Sequence, residues 1–138
     1  MAITKQKGDI AEAFVTYLLK QNGFNVLIPG GEDNRYDLVT EKNGVFKRVQ
    51  VKYATPKDGI VEVRARSCNN HSIIHYSPKN IDIIAVYSSE QHKVYFVPFS
   101  LIRNKSTCNL RLKPAKNKQI KFVTEAAKYE SRFDLLEK

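Results

Sequence analysis

No stretch of the chain approaches the roughly 18 to 20 apolar residues that a membrane helix needs, so no spanning segment is expected. Met1 to Lys7 is polar and lacks an apolar signal region, so a cytoplasmic protein is expected rather than a secreted one. Cysteine is scarce: Cys68 and Cys108 do not make a disulfide framework and suit a reducing compartment. There is no internal repeat, no low-complexity tract, no Gly-rich phosphate loop and no Ser/His/Asp set. Acid is also short, 14 Asp and Glu against 23 Lys and Arg, which leaves a net charge of +9. That imbalance calls for a polyanionic partner, nucleic acid first and anionic membrane second. What the chain does have is 42% hydrophobic residues, enough for a core and too many for a disordered basic tail. Its 138 residues fit one compact domain, 1–138.

The charge is uneven. Between Lys42 and Lys118 stand 15 basic and 4 acidic residues, a net of +11. The two flanks together hold 8 basic and 10 acidic residues, a net of −2. The run Arg103, Lys105, Arg111, Lys113, Lys116, Lys118, Lys121 contains no acid. Unscreened cations of one sign repel each other, so this basic, loop-rich segment around 103–121 is expected to lie along phosphates. A membrane patch would need an amphipathic helix. Pro114, Asn104, Asn109 and Asn117 suit loops and turns instead, so no membrane partner is expected.

Periodicity predicts the elements. Gly8 to Asn22 reads as a helix, with Ile10, Phe14, Tyr17 and Leu18 as its stripe and Gly23 as its C-terminal cap. Phe24 to Ile28 and Arg35 to Thr40 read as strands, and Asn43-Gly44 as a hairpin turn into Val45 to Ala54. Asp58-Gly59 turns into Ile60 to Arg66, which would continue an antiparallel meander behind the helix. Ile81 to Tyr87 is nearly all apolar and is expected to be buried on both faces, with Val94 to Val97 as its hairpin partner. Pro98-Phe99-Ser100 begins a short helix or turn, and Ala126 to Leu136 is expected to be a C-terminal helix. The order predicts an α/β (α+β) fold with a central mixed β-sheet flanked by helices.

The informative residues are Asp37 and the triplet Gln50-Val51-Lys52. Side chains two apart on a strand share a face, so Gln50 and Lys52 project together while Val49 and Val51 turn away. The hairpin can bring Asp37 across from this pair. One carboxylate, one amide oxygen and one ammonium would converge. A hard cation such as Mg²⁺ takes oxygen ligands, polarises a phosphoryl oxygen and makes a bound water a better nucleophile. A lysine beside it would orient that water and stabilise developing charge. Glu12, on the helix, is a second acid that can reach the strand ends. By spacing alone the set is weak, because Asp, Gln and Lys are ordinary on an exposed sheet face.

Taken in order, GDIAEAF, RYDLV, RVQVKYA, IDIIAVY and VYFVPFS resemble the PD-(D/E)XK restriction-endonuclease-like nucleases over about Lys7 to Leu101. The resemblance is closest to small homing endonucleases encoded in cyanobacterial group I introns, which read a long DNA target as homo-oligomers. It implies a sequence-specific double-stranded DNA endonuclease, using Mg²⁺ or Mn²⁺ and acting as a homodimer or homotetramer. It implies that Asp37 is the first metal-binding acid, that Gln50 stands at the second acidic position and that Lys52 is the motif lysine. Glu12 matches a helical glutamate found in a subset that includes archaeal Holliday-junction resolvases, and the Val51 carbonyl would be a further ligand. Two positions depart from the pattern: Tyr36 replaces the proline, and Gln50 is neutral where the motif has an acid. A junction-resolving nuclease and a catalytically inactive DNA-binding relative therefore stay open as readings.

Other residues compete for roles. Cys68, His71, His75 and Cys108 form one loose cluster rather than the paired knuckles of a zinc site, and read better as loop residues and a buried cysteine. Tyr53, Tyr76 and Tyr87 read as half-buried strand tyrosines. On the strand Ile60 to Arg66, Arg64 and Arg66 alternate outward, where a β-ribbon can meet a major groove. Lys113, Lys116 and Lys118 are the expected phosphate contacts.

Overall fold

The computed structural model describes residues 4–31, 34–64, 66–69, 72–75, 80–102, 107–113 and 124–138. In chain order these form α1 (Thr4–Gln21), β1 (Asn25–Leu27), β2 (Leu38–Lys42), β3 (Val45–Ala54), β4 (Ile60–Arg64) and β5 (Arg66–Asn69). Then come β6 (Ser72–His75), β7 (Ile83–Ser88), β8 (Lys93–Pro98), β9 (Thr107–Arg111) and β10 (Thr124–Glu125). Short 3₁₀ turns cover Phe99–Leu101, Ala126–Lys128 and Phe133–Leu136.

Helix α1 ends where glycine lets it. Gly23 adopts φ +85°, its N–H bonds the Lys20 carbonyl, and the Phe24 N–H bonds the Leu19 carbonyl, the Schellman closure. The buried stripe is Ala11, Val15 and Leu19, with Phe14 and Leu18 half-buried beside it. Ile10 and Tyr17, expected in that stripe, are exposed instead. Small Ala11 lets the helix axis approach the sheet, which turns the neighbouring bulky residues to its flanks.

The central sheet has the order β1-β2-β3-β7-β8. Strands β2 and β3 form the expected hairpin, with positive φ at both Asn43 and Gly44, as a type I′ turn requires. Strand β3 then pairs with β7 in parallel, Val49 opposite Ile83 and Lys52 opposite Val86. All of β7 is buried. Ile83, Ala85 and Tyr87 pack toward α1, and Ile84 and Val86 pack into a second core layer.

The expected meander is not formed. Strand β4 leaves the central sheet and pairs with β9, which also pairs with β10. Burial explains this. Val61 and Val63 are fully buried and cover the Ile84 and Val86 face of β7. A hairpin on β3 would have left that face bare. Arg66 opens a separate two-stranded ribbon, β5 with β6, so Ile60 to Arg66 is not one strand. The basic segment around 103–121 contains β9, and its residues 103–106 and 114–121 lie outside the described ones.

The expected C-terminal helix over Ala126 to Leu136 is also absent. Two 3₁₀ turns replace it, separated by Ser131 at φ +51°. The backbone there is claimed by β8: Phe96 N–H bonds the Tyr129 carbonyl and Ser131 N–H bonds the Val94 carbonyl, both at 2.9 Å. Arg132 and Asp134 add a local ion pair at 2.8 Å. Leu136 still reaches the core under α1.

One clamp fixes the parallel junction. Asp82 accepts the Arg48 backbone N–H at 2.8 Å and two guanidinium bonds at 3.1 and 3.0 Å. Burial pushes the Asp82 carboxyl up, but the Arg48 hydrogen bonds and charge outweigh it and hold it below 3.8. The folded form therefore binds its proton less tightly than the unfolded form. The stabilisation is complete above the unfolded pKa and is lost as pH falls below 3.8 through the folded value. Asp82→Asn is expected to lower unfolding free energy by about 1–3 kcal/mol near neutral pH. Urea titrations of both proteins should converge in acid.

Candidate active site

Strand β3 outruns its partner. Strand β2 begins only at Leu38, so Asp37 stands just ahead of it rather than within it. The Asp37 N–H bonds the Val49 carbonyl at 2.9 Å. One step further along β3, no β2 residue remains to take the Val51 N–H. The Asp37 carboxylate takes it instead, Oδ2 accepting at 2.8 Å. In an antiparallel pair a residue's N–H and C=O leave the same edge of the strand. The Val51 carbonyl therefore leaves β3 on the edge where Asp37 sits.

The remaining residues approach this edge from the two faces of the sheet. Val49 and Val51 are buried under α1, so Gln50 and Lys52 occupy the opposite face, as the period of two predicts. Lys52 is close enough for its charge to pull the Asp37 carboxyl down. Glu12 comes from α1, one residue after buried Ala11. Burial raises its carboxyl, and repulsion from Asp37 and then from Asp9 raises it further. Asp37 is raised too: burial is the larger cause, opposed by the Val51 N–H and by Lys52.

The structure thus brings together Glu12, Asp37, Val51 and Lys52. Gln50 stands on the Lys52 face, and among the described residues no hydrogen bond ties its amide to either acid. Among the described residues there is also no group of three His, Cys, Asp or Glu that would hold a metal by itself. A cation here would draw on two carboxylates, a backbone carbonyl and the Gln50 amide, all oxygen donors of the kind Mg²⁺ or Mn²⁺ takes. The fit is electrostatic as well. Two carboxylates that repel each other in a partly dry place are relieved by a positive ion.

Sequence reasoning missed two contributors. Asp9 acts on Glu12 from three positions earlier, a spacing that makes helix neighbours and was there to be read. The Arg48–Asp82 clamp holds β3 beside β7 next to the site, and its only signal was a lone acid heading an apolar run.

Other candidates fall elsewhere. Arg64 is exposed, as expected, and pairs with Glu62 at 2.6 Å. Lys113 is exposed beside Gly59. Lys116 and Lys118 lie outside the described residues, as do Tyr76, His71 and the side chains of Arg66, Cys68 and His75. Cys108 is buried in the core with Val61 and Val63. Tyr87 is buried, its ring centre 4.7 Å from that of Phe14 in a tilted contact, with Tyr53 at its edge.

A family model described as PD-(D/E)XK endonuclease matches residues 2–132. Among solved structures, the bacterial homing endonuclease I-Ssp6803I is similar, with a TM-score of 0.76 and 27% sequence identity. That match covers 97% of this chain and 93% of the other. No curated protein sequence matches. The family match spans α1, the β2–β3 hairpin and β7, the elements that assemble Glu12, Asp37, Val51 and Lys52, and the chain belongs to the PD-(D/E)XK endonuclease family.

Proposed function

We propose that the protein is a divalent-metal-dependent endonuclease of the homing type, cutting a defined site in double-stranded DNA. The observation that carries this reading is the Asp37 carboxylate held on the Val51 N–H, beside Lys52 and facing Glu12. Glu12, Asp37 and the Val51 carbonyl would hold Mg²⁺ or Mn²⁺, with Gln50 as a further oxygen donor. When bound, such an ion polarises the phosphoryl oxygen and makes water a better nucleophile. Asp37 is oriented for its part by Val51. Lys52 donates to the attacking water or a phosphate oxygen and balances charge that develops there.

Phosphates would be held by the basic part of the chain, Arg64, Arg66, Lys113, Lys116 and Lys118, which position the duplex. Cutting both strands would take two copies of the chain, as a homodimer or homotetramer. The deciding experiment is incubation of the purified protein with Mg²⁺ or Mn²⁺ and long duplex DNA from the locus that carries its gene. Discrete fragments support the reading.

A second reading, a nuclease resolving DNA junctions, is favoured by Glu12 standing at the site. Preferential cutting of a four-way junction over linear duplex would select it. A protein that binds DNA and cuts neither would be an inactive relative, with neutral Gln50 as the cause.

Two smaller expectations follow from the same arrangement. Glu12→Gln removes one negative charge from the set and is expected to slow cleavage by roughly 10- to 100-fold. Higher metal concentration should restore part of the rate. Duplex binding is expected to weaken by about 10³-fold or more between 50 and 200 mM salt, if six or more phosphates are contacted. Filter binding across a salt series measures it.

A further inference from the structure

The buried stripe of α1 steps by four, through Ala11, Val15 and Leu19. One step earlier the same row holds Lys7, half-buried between exposed Gln6 and Gly8. An apolar residue would continue the core there. The lysine instead lays its ammonium over the ring of Tyr53, 5.7 Å from the ring centre. That ring is a fixed platform. Tyr87 meets it edge-on at 5.6 Å, is itself buried, and shares a 3.0 Å hydrogen bond between its hydroxyl and His92 Nδ1. Among the described residues no acid forms an ion pair with Lys7.

A lysine stem that covers apolar surface while its head reaches water is ordinary at the end of a core. The place of this head is not. Helix α1 runs against β3. Its C-terminal end lies by Lys42, whose ammonium bonds the Asn22 carbonyl at 3.1 Å. Glu12 faces Asp37 at the level of Val51, and Lys7 stands over Tyr53. From Glu12 to Lys7 the helix advances about 7–8 Å. From Val51 to Tyr53 the strand advances about 7 Å in the same direction. Lys7 and Tyr53 therefore lie one short step beyond the place where Glu12, Asp37 and the Val51 carbonyl would meet the phosphate being cut. Each strand of a duplex carries a phosphate about every 3.4 Å along the axis, so that step spans about two nucleotides.

We propose that Lys7, held on the Tyr53 ring, is a phosphate contact for the DNA strand being cut, about two nucleotides from the scissile bond. The inference rests on the endonuclease reading and deepens it, because an anchor at this distance draws the strand across the two acids. Lys7 neutralises the phosphate, and Tyr53 positions Lys7. Such a contact fixes the register of the strand and names no base.

The test is duplex binding by the whole protein in EDTA, followed by filter binding across a salt series. Lys7→Gln keeps most of the stem and removes the charge. It is expected to weaken binding roughly tenfold at about 0.1 M salt and to reduce the slope of log affinity against log salt by about one. Lys7→Arg should restore the slope. Tyr53→Leu keeps the charge and removes its platform, so affinity should fall about two- to fivefold with the slope unchanged. Lys20→Gln, exposed at the far end of α1, should bind as the native protein does. A native slope in Lys7→Gln overturns the proposal, and so does an equal loss in Lys20→Gln, which would mark a general effect of charge. A purely structural lysine would lower the thermal midpoint of Lys7→Gln and leave the slope alone. Cleavage locates the contact. In single turnovers, a neutral methylphosphonate about two nucleotides from the cut should slow the native protein and slow Lys7→Gln no further. A native protein indifferent to neutral linkages there overturns the proposal, as does equal slowing of both proteins. If the native protein cuts no DNA, the endonuclease reading has failed, and the salt slope alone decides whether Lys7 holds a phosphate.

Discussion

Lys52→Ala protein is expected to bind duplex DNA with near-native affinity and to leave it uncut. Lys52 is half-buried on β3, on the face away from α1, and its charge is felt by Asp37. Its removal takes away no core packing, because the buried residues of that stretch are Val49 and Val51. What is lost is a positive donor where negative charge accumulates as the phosphodiester opens. Positioned proton-transfer and charge-stabilising groups of this kind contribute roughly 10²- to 10⁴-fold. The loss should therefore appear in the single-turnover cleavage rate and not in binding. Lys52→Arg separates charge from shape: it keeps the cation and alters its reach, so partial activity is expected. Full cleavage by the alanine variant would remove Lys52 from the mechanism.

Asp37→Asn is expected to stop cleavage while the fold stays intact. The asparagine Oδ1 can still accept the Val51 N–H, so the end of β3 keeps its partner. Burial is the largest influence on the Asp37 carboxyl and opposes its charge, so a neutral side chain fits the same place. The thermal midpoint without metal is expected to match the native protein or exceed it. The divalent ion gives a second readout. An ion at 100 times its dissociation constant stabilises a folded protein by about 2.7 kcal/mol. Mg²⁺ or Mn²⁺ should raise the native midpoint, and that rise should vanish in Asp37→Asn. A rise that survives the substitution would place the ion elsewhere. Cleavage should fall by roughly 10²-fold or more, because the lost charge cannot be regained from neutral Gln50.

Local signals carried most of the fold into the sequence. Gly23, Asn43-Gly44 and the alternation of Val45 to Ala54 act over a few residues, and the elements they mark were placed closely. The double burial of β7 was legible because an unbroken apolar run leaves no polar face. The partners of β4 and of the C-terminal segment were not legible. Strand β4 chooses β9, far along the chain, because Val61 and Val63 are needed over Ile84. The segment after Ala126 has helical spacing, yet β8 takes its backbone groups, a competition that no local pattern reveals. The site divides in the same way. Asp37, Gln50 and Lys52 follow from a hairpin and a period of two. That Glu12 reaches Asp37 depends on how closely α1 approaches the sheet, which small Ala11 sets. The Arg48–Asp82 clamp joins residues 34 positions apart and needs the parallel pairing to exist first.

The clasp of Tyr129 and Ser131 on β8 bears on how the molecule is made. The sequence of β8, Lys93–Pro98, is rich in aromatic and β-branched residues, and among the described residues its outer edge is bonded by Tyr129 and Ser131, more than thirty positions later. During synthesis that edge waits, with the backbone of Val94 and Phe96 unsatisfied, until the ribosome has released residue 131 and Leu136 behind it. A stalled or clipped chain ending before Tyr129 would present a bare, apolar strand, the kind of template on which other chains add. Fragments of that length are expected to collect in inclusion bodies, while the whole chain remains in solution.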